Sequence, residues 1–134
     1  MGAWDVDALG NDAALDWLGD FCEGKDLKMA EVAISKVESI GTDYLDADAS
    51  CNALAACEVI ARLKGKFGKR DPYSEGLDKW VSVHPISPPP ALVRSALASI
   101  DRIVTPPSEL LELWTEGDAE EWLTSVAELR RRVE

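Results

Sequence analysis

Apolar residues recur at helical spacing along nearly the whole chain, and no segment alternates apolar and polar residues over the length of a strand. In the clearest segment, Val93, Leu97, Ile100 and Val104 are spaced by four, three and four residues, which places them on one face of a helix. The same spacing recurs between residues 122 and 133. The pattern predicts an all-α fold.

Residues that favour helix ends divide this pattern into about six or seven short helices. Asn11 is suited to cap the first helix, and Gly41 to stop a second helix that begins near Leu27. We read Asp48 as the cap of a third helix, which ends before Gly65. The remaining predicted helices cover about 77–83, the segment after the prolines at 88–90, about 110–116, and a last helix opened by an Asp-x-x-Glu capping box at 118–121.

The composition indicates one folded domain over residues 1–134. Hydrophobic residues make up 46% of the chain, and five tryptophans are present, enough for a substantial core. Trp17, Trp80, Trp114 and Trp122 fall in helical patterns and are predicted to lie in that core. We expect the N-terminal segment to pack back on the body with Trp4 buried, so that Trp4→Ala costs about 3 kcal/mol or more.

The net charge of −11 limits the possible partners. It disfavours nucleic acids and anionic membranes, whose charges it repels, and it permits a basic protein. The N-terminus lacks the pattern of a signal peptide, and no apolar run is long enough for a bilayer. The odd count of three cysteines suggests reduced, buried thiols, so we expect a cytoplasmic protein. The oligomeric state is left open.

The first 24 residues contain six carboxylates and neither lysine nor arginine. On a helix, Asp12, Asp16, Asp20 and Glu23 fall within about 80° of one another, opposite the apolar residues, and so form its outer face. A calcium loop is the sharper alternative, because residues 5–16 partly match the EF-hand pattern. Leu9 at the fifth position of that pattern and an aspartate at the twelfth argue against it.

Charge is arranged in blocks elsewhere as well. Residues 105–129 carry seven acids and no base, and residues 62–70 carry five bases and no acid. Such blocks can make a surface with two signs of charge, and they can also arise by chance. The arginines near residue 131 are placed to complement the dipole of the last helix.

Recognisable catalytic motifs are missing from the sequence. Its only histidine, His84, has no motif around it, and neither a nucleophile elbow, nor a phosphate-binding glycine loop, nor a zinc-type spacing is present. We therefore predict no cofactor and no metal, and we favour a protein without enzymatic activity.

The opening MGAWDVDALGNDAALDW resembles domain of unknown function 4259, a family of small bacterial proteins. The segments AACEVIARLKG and SELLELWTEGDAEEWLTSVAELR are similar to that family too, so the likeness covers nearly the whole chain. Asp5, Asp7 and Leu9 depart from the glycines and phenylalanine that the family tends to have there. The resemblance implies a small helical bacterial protein and no particular reaction.

Two hypotheses follow. The first is a non-enzymatic protein-binding module, like an immunity protein or an inhibitor, that engages a basic partner through carboxylates. The alternative is a carboxylate-based enzyme or a protein that binds a metal or a small ligand. The candidate contact residues of the first hypothesis are Trp4, Asp12, Asp16, Asp20, Glu23, Glu116, Glu120 and Glu121.

Overall fold

The computed structural model describes residues 6–117 and 119–134. Within these ranges the all-α prediction is confirmed, and the β-type pairing there is one isolated parallel bridge between Leu45 and Ser108. None of the helices in these ranges combines the length and apolar character needed to cross a bilayer. The helices are α1 Asp12–Cys22, α2 Lys28–Glu38, α3 Ala47–Leu63, α4 Glu75–Val83, α5 Pro90–Ile103, α6 Glu109–Thr115 and α7 Ala119–Val133.

The centre of the fold is α3, which packs against all six other helices. Its side chains are buried almost continuously from Ala49 to Arg62, and most of them are small. A helix that is mostly apolar around its circumference is buried on nearly every side, and small side chains let its neighbours approach closely. The alanine-rich sequence of α3 therefore explains its position in the core.

The helix starts follow the predicted chemistry with one correction. The Asn11 side chain accepts a hydrogen bond from the Ala14 amide at 2.8 Å, as predicted for the cap of α1. The cap of α3 is Asp46, not Asp48: Asp46 has an extended backbone and accepts from the Ala49 amide at 2.8 Å. Asp48 lies in the first turn instead, where its charge faces the positive end of the helix dipole. The capping box predicted at Asp118 lies outside the described residues.

The segment before α1 packs on the body in its described part. Leu9 is buried, and Val6 and Ala8 lie partly buried against the core. The Gly10 amide donates to the Asp7 carbonyl at 3.0 Å, which closes a tight turn just before the Asn11 cap. The predicted burial of Trp4 lies outside the described residues and stays a prediction.

The four other tryptophans are divided between the core and its edge. Trp80 and Trp122 are buried, as predicted, whereas Trp17 and Trp114 are only half-buried. His84 stacks on Trp80 with ring centroids 4.5 Å apart, and its Nδ1 lies 3.0 Å from the Trp80 carbonyl oxygen. These contacts give His84 a structural environment at the end of α4.

Arg102, near the end of α5, joins two connecting segments. Its guanidinium donates to the carbonyls of Gly41 and Asp43, at 2.7 and 2.6 Å, and to those of Thr105 and Pro107, at 2.8 and 2.9 Å. Backbone carbonyls outside helical hydrogen bonds need another donor, and the planar guanidinium of Arg102 donates to four of them.

We expect Arg102→Ala to lower the free energy of unfolding by about 1–3 kcal/mol, because hydrogen bonds to a charged group are lost at both segments. Urea denaturation followed by circular dichroism measures this change. Arg94→Ala is the matched control, since Arg94 is an exposed arginine on the same helix. Equal losses in the two variants would contradict the role given to Arg102.

Candidate functional site

The predicted acidic face is present on α1. Asp12, Asp16 and Asp20 are exposed along the helix, and Glu23 is exposed at its C-cap. The opposite side, formed by Ala14, Leu18 and Phe21, is buried. The interpretation of this segment as the outer face of an amphipathic helix is thus confirmed.

Three of the four carboxylates on this face have no cation within ion-pair distance among the described residues. Asp16, Asp20 and Glu23 form no ion pair with any residue of 6–117 or 119–134. Asp16 and Asp20 are four residues apart, a spacing at which like charges repel on a helix. Asp20 and Glu23 also lie at the C-terminal end of α1, whose last turn holds no basic residue. Carboxylates at that end face the negative pole of the helix dipole, so their positions lower the stability of α1.

The second group of candidate acids lies on other helices. Glu116 caps the C-terminus of α6, while Glu120 and Glu121 are in the first turn of α7, and all three are exposed. Glu120 and Glu121 lie near the positive end of the α7 dipole, so their charges stabilise that helix. These three acids lie at the end of α6 and the start of α7, whereas the first set lies along α1 and at its C-cap. Trp4 lies outside the described residues.

The residues that partly match an EF-hand loop are dispersed. Asp7 pairs with Lys69 at 3.4 Å, Leu9 is buried, and Asp16 points outward from α1. Asp5 lies outside the described residues. In the described part of the chain, no group of three or more histidine, cysteine, aspartate or glutamate residues is placed to hold a metal ion.

An apolar groove runs beside the acidic face, between α1 and α2. We call it the α1–α2 groove; it has a volume of about 570 Å³. Both helices pack on α3, which contributes Ala49 and Asn52 to the lining. Its other apolar lining residues are Trp17 and Phe21 from α1 with Met29, Val32 and Ala33 from α2, and charged lining residues are Asp26, Lys28 and Lys36.

The sequence analysis missed a buried charge cluster between α3, α4 and α7. The sequence analysis placed Arg62 in a basic block at the surface. Arg62 is instead a residue of the last turn of α3 and is only 2% exposed. Its Nε donates to Glu58 at 2.9 Å, and it also pairs with Asp78. Arg132 pairs with the same Glu58 at 2.7 Å, so the tail arginine does more than complement a dipole. The signal in the sequence was the spacing of Glu58 and Arg62, four residues apart in an otherwise apolar helix.

This cluster also anchors the segment after α3. Arg62 donates to the Lys69 carbonyl at 2.7 Å, and Arg132 to the Lys66 carbonyl at 3.2 Å. Burial alone would lower the pKa of Arg132, but the hydrogen bonds that Arg132 donates to Glu58 and Glu128 outweigh it and raise the pKa above the ordinary value. The cluster is internally neutralised, which is characteristic of a structural anchor.

The cysteines are not placed as nucleophiles. All three are free, as expected, and Cys51 and Cys57 are buried on α3. Burial raises the pKa of both thiols to about 12, with a further contribution from nearby carboxylates, while the Ser99 hydroxyl opposes the shift at Cys57. Burial also raises the pKa of Cys22. Between about pH 9 and pH 12 the unfolded chain loses the protons of these two thiols, whereas the folded chain keeps them. The contribution of the two thiols to the free energy of unfolding is therefore complete below pH 9 and is lost as the pH rises towards 12.

We expect a thiol reagent at pH 8 to modify Cys22 before Cys51 and Cys57, since only Cys22 is partly exposed and only the thiolate reacts. Mass spectrometry of the labelled peptides, with and without urea, checks the order. Modification of Cys51 or Cys57 at the Cys22 rate in the folded protein would contradict the packing of α3.

Comparison with known proteins gives one match. The family described as Domain of unknown function (DUF4259) matches residues 2–125 of the 134-residue chain. No curated protein and no solved structure matches.

Proposed function

The chain belongs to the DUF4259 family, and from its surface we propose that it is a non-enzymatic protein-binding module of the bacterial cytoplasm, similar in action to an immunity protein or an inhibitor. Its partner is a basic protein, and the contact surface is the acidic face of α1. Three free cysteines agree with a reducing compartment.

One observation carries this proposal: α1 bears carboxylates at positions that weaken the helix. Asp16 and Asp20 repel each other, and Asp20 and Glu23 face the negative end of the dipole. Cations from a partner would relieve both costs, and opposite charges across an interface speed association and fix its orientation. The acids of α7 have a structural reason for their positions, so Glu120 and Glu121 support the proposal less than the α1 acids do.

The proposal predicts opposite effects of one substitution on stability and on binding. Asp20→Asn removes a repulsion and an unfavourable dipole contact, so we expect the free protein to gain about 0.3–1 kcal/mol in its free energy of unfolding. The same substitution should weaken capture of the partner. Thermal melting and affinity capture measure the two effects; a variant that is less stable and binds as before would contradict the proposal.

The binding experiment is affinity capture from a lysate of the source bacterium at low and high salt. Asp16→Asn/Asp20→Asn is compared with Glu38→Gln/Asp43→Asn, which removes the same charge from exposed acids on and just after α2. We expect a basic protein bound by the wild-type chain and the control, and lost from the α1 variant and at high salt. Capture that ignores salt and the α1 substitutions would overturn the electrostatic mechanism.

The alternative, a carboxylate enzyme or a metal-binding protein, has a separate test. Calcium, magnesium and manganese should leave the melting curve unchanged if the binding-module proposal holds. A metal at a hundredfold excess over its dissociation constant would add about 2.7 kcal/mol of stability, and a shift of that size would favour the alternative.

A further inference from the structure

The α1–α2 groove adds an apolar surface beside the acidic face, and its exposed residues are large. Val32 is 60% exposed, and Trp17 and Met29 are half-buried beside it. Its volume of about 570 Å³ falls within the range of about 300–1,000 Å³ that is typical of ligand pockets. An apolar surface of this kind next to charged residues is typical of a protein interaction site.

The two walls of the groove differ in charge. On α1, Trp17 lines the groove, and Asp20 lies only about 60° farther around the helix, so the acidic face borders this wall. On α2, Lys28, Val32 and Lys36 follow one another at intervals of four residues along the opposite wall. Neither lysine side chain is paired with a residue in the part of the chain that the structure describes. The groove therefore has the acidic face along one edge, an apolar floor and two lysines along the other edge, with one further carboxylate, Asp26, in the segment just before α2.

We propose that this groove receives an amphipathic helix of the basic partner, an inference that rests on the proposed function. The apolar stripe of that helix lies on Trp17, Met29 and Val32. Its cationic edge faces Asp16 and Asp20, and its anionic edge faces Lys28 and Lys36. Helix-in-groove recognition uses apolar anchors at intervals of three and four residues, and α2, with 11 residues, is long enough to contact about three turns of a partner.

The difference in charge between the edges also fixes the direction of the partner helix. A helix with cations along one edge and anions along the other matches the groove in one direction only, because reversing it places like charges together. Like-charge contacts at an interface suppress wrong arrangements, so the groove supplies specificity beyond general attraction to an acidic protein.

The test uses a synthetic helical peptide of about 18 residues, or five turns. It carries leucines at helical spacing, lysines along one edge and glutamates along the other, and a permuted peptide of the same composition serves as its control. Binding is measured by fluorescence anisotropy of the labelled peptide. The protein variants are Val32→Glu in the groove and Val83→Glu at the end of α4, since Val83 is a valine of similar exposure, 63%, away from the groove lining. The two variants have the same net charge.

We expect the wild-type chain and Val83→Glu to bind the amphipathic peptide equally, and Val32→Glu to bind it at least about tenfold more weakly, a change of about 1.4 kcal/mol. The permuted peptide should bind more weakly than the amphipathic peptide. No binding by the wild-type chain, or equal binding by the two valine variants, would overturn the groove inference.

The same titration separates this inference from the proposed function. If Asp16→Asn/Asp20→Asn weakens binding while Val32→Glu does not, the acidic face is a binding surface and the groove is not. If neither variant changes binding, the groove inference fails here, and capture of the basic partner by the acidic face is decided by the lysate experiment.

Discussion

Glu58→Ala is expected to lower the free energy of unfolding by about 3–5 kcal/mol, because it removes one partner of a buried ion-pair cluster. Glu58 is 4% exposed and pairs with two arginines, Arg62 and Arg132. Its removal takes one of two carboxylate partners from each arginine, which leaves Arg62 with Asp78 and Arg132 with Glu128. It also loosens the contacts of α7 and of the segment after α3. Chemical denaturation followed by circular dichroism measures the loss.

Glu128→Gln is the matched control for Glu58, because Glu128 pairs with the same Arg132 at 2.6 Å from an exposed position. Exposed ion pairs contribute about 0–1 kcal/mol, so this variant should lose at most that much. If Glu58→Ala loses no more than Glu128→Gln, the cluster is not the anchor that we describe.

The second large effect is expected from Trp80→Ala, at about 3–5 kcal/mol, through lost burial and the cavity left behind. Trp80 is buried on α4, and the centroid of its ring lies 4.6 Å from the centroid of the Phe21 ring. Its Nε1 donates to the Gly24 carbonyl at 2.9 Å, so it also holds the end of α1. Circular dichroism is the suitable probe, because the substitution removes a fluorophore.

Trp80→Phe separates the two contributions of this side chain. It retains an aromatic ring against Phe21 but loses the donor to Gly24, so we expect a smaller loss, the roughly 0.5–1.5 kcal/mol of an ordinary hydrogen bond plus the cost of a small cavity. A loss equal to that of the alanine variant would mean that the hydrogen bond, not the ring, carries the effect.

The helical architecture was predictable because it depends on local patterns. Apolar spacing located each of the helices in residues 6–117 and 119–134, and the cap chemistry of Asn11 fixed the start of α1. Asp46 and Asp48 show the limit of this approach, because two aspartates two residues apart are both good caps. Which of them caps α3 depends on the backbone of the preceding segment, and that is set by the bridge between Leu45 and Ser108, distant in sequence.

The buried charge cluster was not predictable in the same way. Arg62 and its neighbours form a basic run in the sequence, but Arg62 is buried on the side of α3 that meets α4 and α7. The pairing of Arg62 with Asp78, and that of Glu58 with Arg132, requires the tertiary arrangement. The same holds for the α1–α2 groove, since it exists because two helices pack on α3 side by side.

The acidic face was predictable, because helical phase alone places its residues, whereas the difference in charge across the groove was not. Lys28, Val32 and Lys36 have the spacing of a helix face, but the sequence does not show that this face lies opposite Trp17. The binding surface that we propose thus combines a local pattern with a tertiary neighbour.

The most direct test of the account is carboxyl footprinting of the protein with and without its captured partner. A carbodiimide-coupled amine labels exposed carboxylates, and peptide mass spectrometry reports the extent at each one. We expect labelling of Asp16, Asp20 and Glu23 to fall in the complex, while labelling of Glu38 and Asp43 stays unchanged. Unchanged labelling of the three α1 carboxylates in a complex that has formed would contradict the claim that this face binds the partner.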